Sequence, residues 1–93
     1  MSVAEQTLEI MNQLGMHARA ATKFVQTANK FKSDITVEKD GQSVNGKSIM
    51  GVLMLVASKG TTIKVRTKGG DAPAALDALR VLTADGFGEG KGK

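Results

Sequence analysis

The side chain with the clearest chemical potential is the only histidine of the chain, His17, in the stretch LGMHARAATKF at residues 14–24. The apolar spacing becomes helical directly after it, so His17 is expected near the amino end of a helix. Unpaired amides and the positive end of the helix dipole favour an anion there, and Arg19 adds a fixed cation with forked donors. These features suit a phosphoryl group carried on a neutral imidazole nitrogen. A polar histidine beside a solvated arginine fits the same residues, and spacing by itself favours that simpler interpretation.

Ser48 is the second residue that could take part in chemistry, because it directly precedes an apolar run that could form a short helix. This arrangement is typical of a helix N-cap, and Gly60 is expected to end the helix. A phosphate on an N-cap is compatible with the helix dipole, and its negative charge would repel an acidic partner docking nearby. The apolar residues of the run fit either a core or an adaptable docking surface. They are Ile49, Met50, Val52, Leu53 and Leu55.

The segment GQSVNGKS, residues 41–48, matches the pattern of a nucleotide phosphate-binding loop. Such a loop needs a buried parallel strand before it, but the preceding ITVEKD alternates apolar and polar side chains, as an antiparallel strand does. No later predicted strand ends in a magnesium-binding aspartate. We therefore interpret the match as chance.

Composition limits the possible classes of function. The chain has 93 residues, a single histidine and no cysteine, which indicates one small domain and no metal or cofactor site. The start of the chain lacks the features of a signal peptide, and no apolar run approaches the roughly 20 residues that span a bilayer. We expect a cytoplasmic protein without membrane insertion. The formal net charge of +4 suits an acidic or phosphorylated partner, whereas the lack of Trp and Tyr argues against nucleic acid.

The periodicity of the chain predicts the elements that must position His17 and Ser48. TLEIM, ITVEKD and TTIKVRT alternate as strands, and Asp40-Gly41 is typical of a hairpin turn. Helices are expected from Ala18 to about Lys30 and after Asp71, a candidate N-cap. The resulting order, β-α-β-β-α-β-α, indicates an α+β fold with helices on one face of a sheet. Residues 1–88 are expected to form a single domain, and residues 89–93 a flexible glycine- and lysine-rich tail.

The stretches LGMHARAA and VNGKSIMGVLML together resemble the HPr family, the histidine-containing phosphocarriers of the bacterial phosphoenolpyruvate-dependent sugar phosphotransferase system. The resemblance extends from about Thr7 to Gly88. It implies an open-faced β-sandwich, a four-stranded antiparallel sheet covered on one face by three helices. It also implies a carrier that is a protein substrate of phosphotransfer and not a turnover enzyme.

The resemblance also implies roles and partners. His17 would accept a phosphoryl group on Nδ1 from enzyme I and pass it to sugar-specific EIIA domains, while Arg19 stabilises the group. Ser48 would be the serine phosphorylated by a dedicated HPr kinase/phosphorylase, and a monomer is expected. The implied docking residues are Ala18, Thr22, Ile49, Met50 and Leu53.

Ala20 departs from the family pattern, because HARAA replaces the usual HxRPA. Alanine keeps the helix and adds one N–H near the phosphate site, so we expect a more flexible first turn with function retained. The departure leaves an alternative open. The chain could be a regulatory paralogue of nitrogen or carbon metabolism, a corepressor that binds a transcription regulator when Ser48 is phosphorylated.

Overall fold

The computed structural model describes residues 2–89 and confirms the predicted order of strands and helices. Methionine 1 and residues 90–93, which include most of the predicted tail, lie outside the described residues. The elements are β1 (Ser2–Glu9), α1 (Ala18–Ala28), β2 (Asp34–Lys39), β3 (Gln42–Asn45), α2 (Ile49–Met54), β4 (Thr62–Gly69), α3 (Ala72–Ala84) and a short 3-10 turn at Gly86–Gly88.

The four strands form one antiparallel sheet in the order β1-β4-β2-β3, which confirms the open-faced sandwich. Strand β4 lies between β1 and β2, and its side chains alternate strictly between buried and exposed. Ile63 and Val65 point into the core, whereas Lys64, Arg66 and Lys68 are exposed on the face without helices. The alternation of apolar and polar residues in the sequence therefore indicates a sheet with one covered face.

Helices α1 and α3 cover the buried face of the sheet. Helix α1 buries one stripe that includes Phe24 and Val25, and it ends at Ala28, close to the predicted end. Helix α3 contributes Ala75 and Leu79 to the same core, and both are fully buried. Among residues 2–89, no helix combines the length and apolar character needed to cross a membrane.

Asp71 occupies the predicted N-cap position of α3, but its side chain makes no capping hydrogen bond. Its carboxylate instead accepts hydrogen bonds from the backbone N–H of Lys32 and of Ser33, both at 2.9 Å, and from the Ser33 hydroxyl. The hydroxyl of Ser33, followed by the backbone N–H of Lys32, holds the pKa of this carboxyl below its ordinary value. Asp71 therefore ties the loop before β2 to the start of α3.

Helix α2 ends at Met54, so the prediction that it continues to Gly60 is wrong. The chain leaves the helix through Val56, which has a left-handed backbone conformation with a φ of 50°. The next residue, Ala57, accepts a hydrogen bond at 2.7 Å from the backbone N–H of Met16. This long-range pairing, which the local apolar pattern does not encode, stops the helix after six residues.

The end of the described chain folds back onto the domain. Gly86, Phe87 and Gly88 all have positive φ, which reverses the chain direction. Phe87 is fully buried in the core, and its carbonyl accepts a hydrogen bond at 2.8 Å from Lys23 Nζ. Glu89, which we assigned to the tail, is thereby brought to the amino end of α1.

Candidate functional site

His17 is the N-cap residue of α1, in agreement with its predicted position at a helix start. Its backbone is extended, and its Nδ1 accepts a hydrogen bond of 3.3 Å from the backbone N–H of Arg19. This distance is longer than in a strong N–H···N hydrogen bond, so breaking the bond costs little free energy. Nδ1 therefore faces the amide-rich, electropositive end of the helix.

The opposite nitrogen of the ring faces a carboxylate. Nε2 of His17 lies 2.6 Å from Oε2 of Glu89, and both side chains remain partly exposed. An ionised carboxylate only accepts hydrogen bonds, so Nε2 must carry the proton in this contact. In the neutral ring, the lone pair is then on Nδ1. The pair of contacts orients the imidazole with Nδ1 as its nucleophilic nitrogen.

The buried side chain of Asn12 fixes the position of Glu89. It is fully buried, and its Nδ2 donates to the Gly15 carbonyl at 2.8 Å and to Oε1 of Glu89 at 2.9 Å. Its Oδ1 is buried without a hydrogen-bond partner among the described residues. The hydrogen bond from Asn12 contributes most to holding the pKa of Glu89 below its ordinary value, and the contact with His17 lowers that pKa further.

Sequence reasoning missed both Asn12 and Glu89. Asn12 lies in the segment NQLG, which directly follows the predicted strand TLEIM and matches no motif, and Glu89 lies 72 residues from His17 along the chain. No local pattern connects the three residues. The acidic residue in an otherwise glycine- and lysine-rich end was the one available signal.

The first five residues of α1 include three of the other predicted site residues, Ala18, Arg19 and Thr22. Arg19 is exposed, and its charge makes a small contribution to the lowered pKa of Glu89. Ala18 is also exposed, and its carbonyl accepts a hydrogen bond at 2.8 Å from the Thr22 hydroxyl. Ala20 is fully buried within the helix, so alanine preserves the helical turn where the family pattern has proline.

The loop before His17 packs directly on the chain that leaves α2. Gly15 has a φ of 67°, and a Cβ atom added to it would lie 2.6 Å from the Ala57 carbonyl oxygen. This position therefore requires glycine, both for its backbone angle and for the close approach. The contact places the end of α2 beside the imidazole of His17.

An apolar surface extends from the cleft at His17 along α2. We define it by its exposed members Leu14, Ile49, Met50, Met54 and Val56, together with the half-buried Leu53. Leu14, Leu53 and Val56 line an open cleft that also contains His17.

The structure resolves the two interpretations of the apolar run after Ser48. Val52 and Leu55 are core residues, whereas Ile49 and Met50 are exposed. The prediction missed Leu14, Met54 and Val56, because their exposure depends on where the helix and the following loop pack.

Ser48 is the N-cap of α2, as predicted, and its Oγ accepts a hydrogen bond of 3.1 Å from the backbone N–H of Gly51. The strand before residues 41–48 is β2, which pairs antiparallel with both β3 and β4, so this segment lacks the parallel strand of a nucleotide loop. Lys47 Nζ donates to the Phe31 carbonyl at 2.7 Å and therefore points into a structural contact. The pattern match at this segment is a coincidence of composition.

Comparison with known proteins agrees with this geometry. The family model described as the phosphorylation site of the PTS HPr component matches residues 4–85. A phosphocarrier protein HPr of Neisseria meningitidis is 53% identical over 87 residues, which cover 94% of this chain and 98% of that protein. The HPr-like protein Crh of Bacillus subtilis is 44% identical over 77 residues, which cover 83% of this chain and 91% of that protein. A crystal structure of HPr from Thermoanaerobacter tengcongensis superposes with a TM-score of 0.90 at 50% identity, covering 92% of this chain and 97% of that one.

Proposed function

The chain belongs to the PTS-HPr family of phosphocarrier proteins, and we propose that His17 Nδ1 accepts a phosphoryl group from phosphorylated enzyme I in the cytoplasm and delivers it to EIIA domains. The observation that supports this most directly is the orientation of the imidazole. Nε2 is engaged by Glu89, and Nδ1 faces the amino end of α1.

Transfer to His17 forms one bond and breaks one. The Nδ1 lone pair attacks phosphorus in line with the donor group, the Nδ1–P bond forms, and the bond from phosphorus to the donor breaks. The ring gains positive charge as the new bond forms, and the Glu89 carboxylate at Nε2 is placed to offset that charge. Amides of the first turn of α1, with the Arg19 side chain, would offset the charge of the phosphoryl oxygens.

A carrier needs its partners to complete each transfer, since it contributes one group and no turnover of its own. We propose that partners dock on the start of α1, at the exposed Ala18 and the half-buried Thr22, and on the neighbouring apolar surface at Ile49, Met50 and Leu53. Residues 10–33 and 41–60 contain no Asp or Glu, so the partner surface is expected to be acidic at its rim.

Phosphate mapping tests the proposal. Incubation with enzyme I and phosphoenolpyruvate is expected to produce an acid-labile phosphate on the native protein and on Ser48→Ala, and none on His17→Ala. Arg19→Ala should keep the fold and slow transfer, because a solvated cation near the phosphoryl group is lost. An acid-labile phosphate that persists on His17→Ala would exclude His17 as the acceptor.

A second candidate function is regulation through Ser48, and its support is the position of this residue. The Oγ caps α2 immediately before Ile49 and Met50, so a phosphate there would add negative charge beside the docking surface. In this alternative the Ser48-phosphorylated protein binds a transcription regulator as a corepressor. The similarity to the HPr-like protein Crh is compatible with either function.

Paired aspartate variants test the regulatory function. Ser48→Asp is expected to slow phosphorylation of His17 by enzyme I, because the new charge opposes an acidic partner. Ser43→Asp is the matched control, since Ser43 is exposed on β3 and is not a member of the apolar surface. Equal rates for Ser48→Asp and Ser43→Asp would remove the regulatory role.

A further inference from the structure

Val56 has a backbone conformation that its side chain disfavours. Among residues 2–89, the non-glycine residues with positive φ are Asp40, Val56 and Phe87. Aspartate tolerates the left-handed region, but a β-branched side chain crowds its own backbone there. Val56 also follows the C-cap of α2, at the position where helices most often place glycine. The choice of valine at this position opposes the stability of the turn.

The surrounding backbone imposes this conformation. The Val56 N–H donates to the Leu53 carbonyl at 3.2 Å, which closes the end of α2. The carbonyl of the next residue, Ala57, accepts a hydrogen bond of 2.7 Å from the N–H of Met16. Between these two anchors the chain must turn sharply, so the φ of Val56 is fixed by its neighbours whatever its side chain.

The side chain of Val56 buries too little surface in the folded monomer to offset this strain. Phe87 offsets its own positive φ by complete burial, whereas Val56 is 76% exposed. An exposed apolar side chain contributes almost nothing to the hydrophobic stability of the domain. A strained residue without a packing contact points to a contact outside the monomer.

The location of Val56 identifies the kind of contact. Its side chain lines the open cleft that contains His17, with Leu14 and Leu53 beside it. We propose that Val56 is a specificity-determining contact residue, whose side chain inserts into the acidic-rimmed protein surface that exchanges a phosphoryl group with His17. This inference rests on the proposed phosphocarrier function and adds to it a residue that the family resemblance did not imply.

The charge of the segments around the cleft indicates which kind of partner docks there. The two segments that line the cleft, residues 10–33 and 41–60, contain five lysines and one arginine and no acidic residue. The carboxylate beside the imidazole, that of Glu89, comes from a third segment and is hydrogen-bonded to Asn12 and His17. A partner with an apolar centre and an acidic rim matches this distribution. The position of the imidazole in the same cleft restricts the occupant to a protein whose phosphoryl-bearing group reaches His17.

Two variants separate the strain from the contact. Val56→Gly removes both, so its melting temperature is expected to rise by about 4–8 °C, while its KM as a substrate of enzyme I rises about fivefold to tenfold. Val56→Thr keeps the β-branched shape and the strain but places a hydroxyl in the apolar contact. It should retain the native melting temperature and raise KM in the same direction. Val81→Ala, which alters a 52% exposed valine of α3, is the matched control and should change neither KM nor kcat.

The alternative results are distinct. An unchanged KM for Val56→Gly would overturn the contact, and an unchanged or lower melting temperature would overturn the strain. Sedimentation that shows a native dimer dissociated by Val56→Gly, with transfer unaffected, would assign the cleft to a second copy of this chain. Failure of the proposed function has another signature, because the native protein itself would then take no phosphoryl group on His17 and the inference would fall with it.

Discussion

Replacing Glu89 with glutamine tests which nitrogen of His17 is free to react. In the native protein the carboxylate faces two donors at once, Asn12 Nδ2 at 2.9 Å and His17 Nε2 at 2.6 Å. A glutamine of the same shape offers one oxygen and one NH2 group, so it can accept from only one of the two donors. The other donor is left facing an N–H group.

Asn12 is expected to retain the glutamine oxygen. Its amide is fully buried and also donates to the Gly15 carbonyl at 2.8 Å, so turning the amide over would bring two oxygen atoms together. The glutamine NH2 then faces Nε2 of His17, which must become an acceptor. The ring proton moves to Nδ1, and the nucleophilic lone pair is lost from the side that faces α1.

The size of the effect follows from the unpaired donor. Leaving a buried or partly buried donor without a partner costs about 1–3 kcal/mol. That cost opposes the reactive tautomer, and it corresponds to a loss of roughly 5- to 150-fold in kcat/KM for phosphorylation by enzyme I. Glu89→Ala leaves Nε2 to water and forces no change of tautomer, so its loss should be smaller.

Two measurements check the tautomer of His17 and the ranking of the two Glu89 variants. Imidazole ¹⁵N shifts, recorded about two pH units above the ordinary histidine pKa, should show the proton on Nε2 in the native protein and on Nδ1 in Glu89→Gln. Rates with phosphoenolpyruvate and enzyme I should rank the native protein above Glu89→Ala and Glu89→Ala above Glu89→Gln. Glu5→Gln, on the exposed part of β1, is the matched control for loss of a carboxylate. A glutamine variant as fast as the alanine variant would refute the tautomer argument.

Three further predictions concern stability and the first turn of α1. Phe87→Ala should lower the free energy of unfolding by about 3–5 kcal/mol in urea titrations, because it empties a fully buried site; a loss below about 1 kcal/mol would show that the 3-10 turn is not anchored by this ring. The Ser33 hydroxyl and the Lys32 N–H lower the pKa of Asp71 in the folded protein. The ionised carboxylate therefore stabilises the fold fully above the ordinary aspartate pKa of about 4, and this stabilisation is lost as the pH falls through the lowered pKa. Asp71→Asn should flatten that acid-side decline in melting temperature, and an unchanged decline would contradict the role of the contact. Ala20→Pro should keep the native circular dichroism and raise stability by about 0.4–1 kcal/mol, because proline restricts the unfolded chain; unfolding of the variant would show that the buried alanine site does not accept the ring.

The local parts of this protein were predictable because their causes are local. Alternation in TTIKVRT identified β4, since a sheet with one covered face requires a period of two. The caps at His17 and Ser48 were predictable because each side chain bonds an N–H only two or three residues away. The similarity of two motifs to one family then gave His17 its chemical role as a prediction, which spacing alone had not favoured.

The tertiary structure decided what surrounds the imidazole. Glu89 reaches His17 because the chain reverses at Phe87 and the aromatic ring enters the core, and Asn12 meets Glu89 across the same gap in sequence. The length of α2 and the exposure of Val56 follow from the hydrogen bond between Met16 and Ala57. The order of the strands and helices, and the caps at which α1 and α2 begin, arise from patterns within one segment, so the sequence by itself determined them. The proton on Nε2 and the apolar cleft depend on contacts between distant segments, which form only when the core packs.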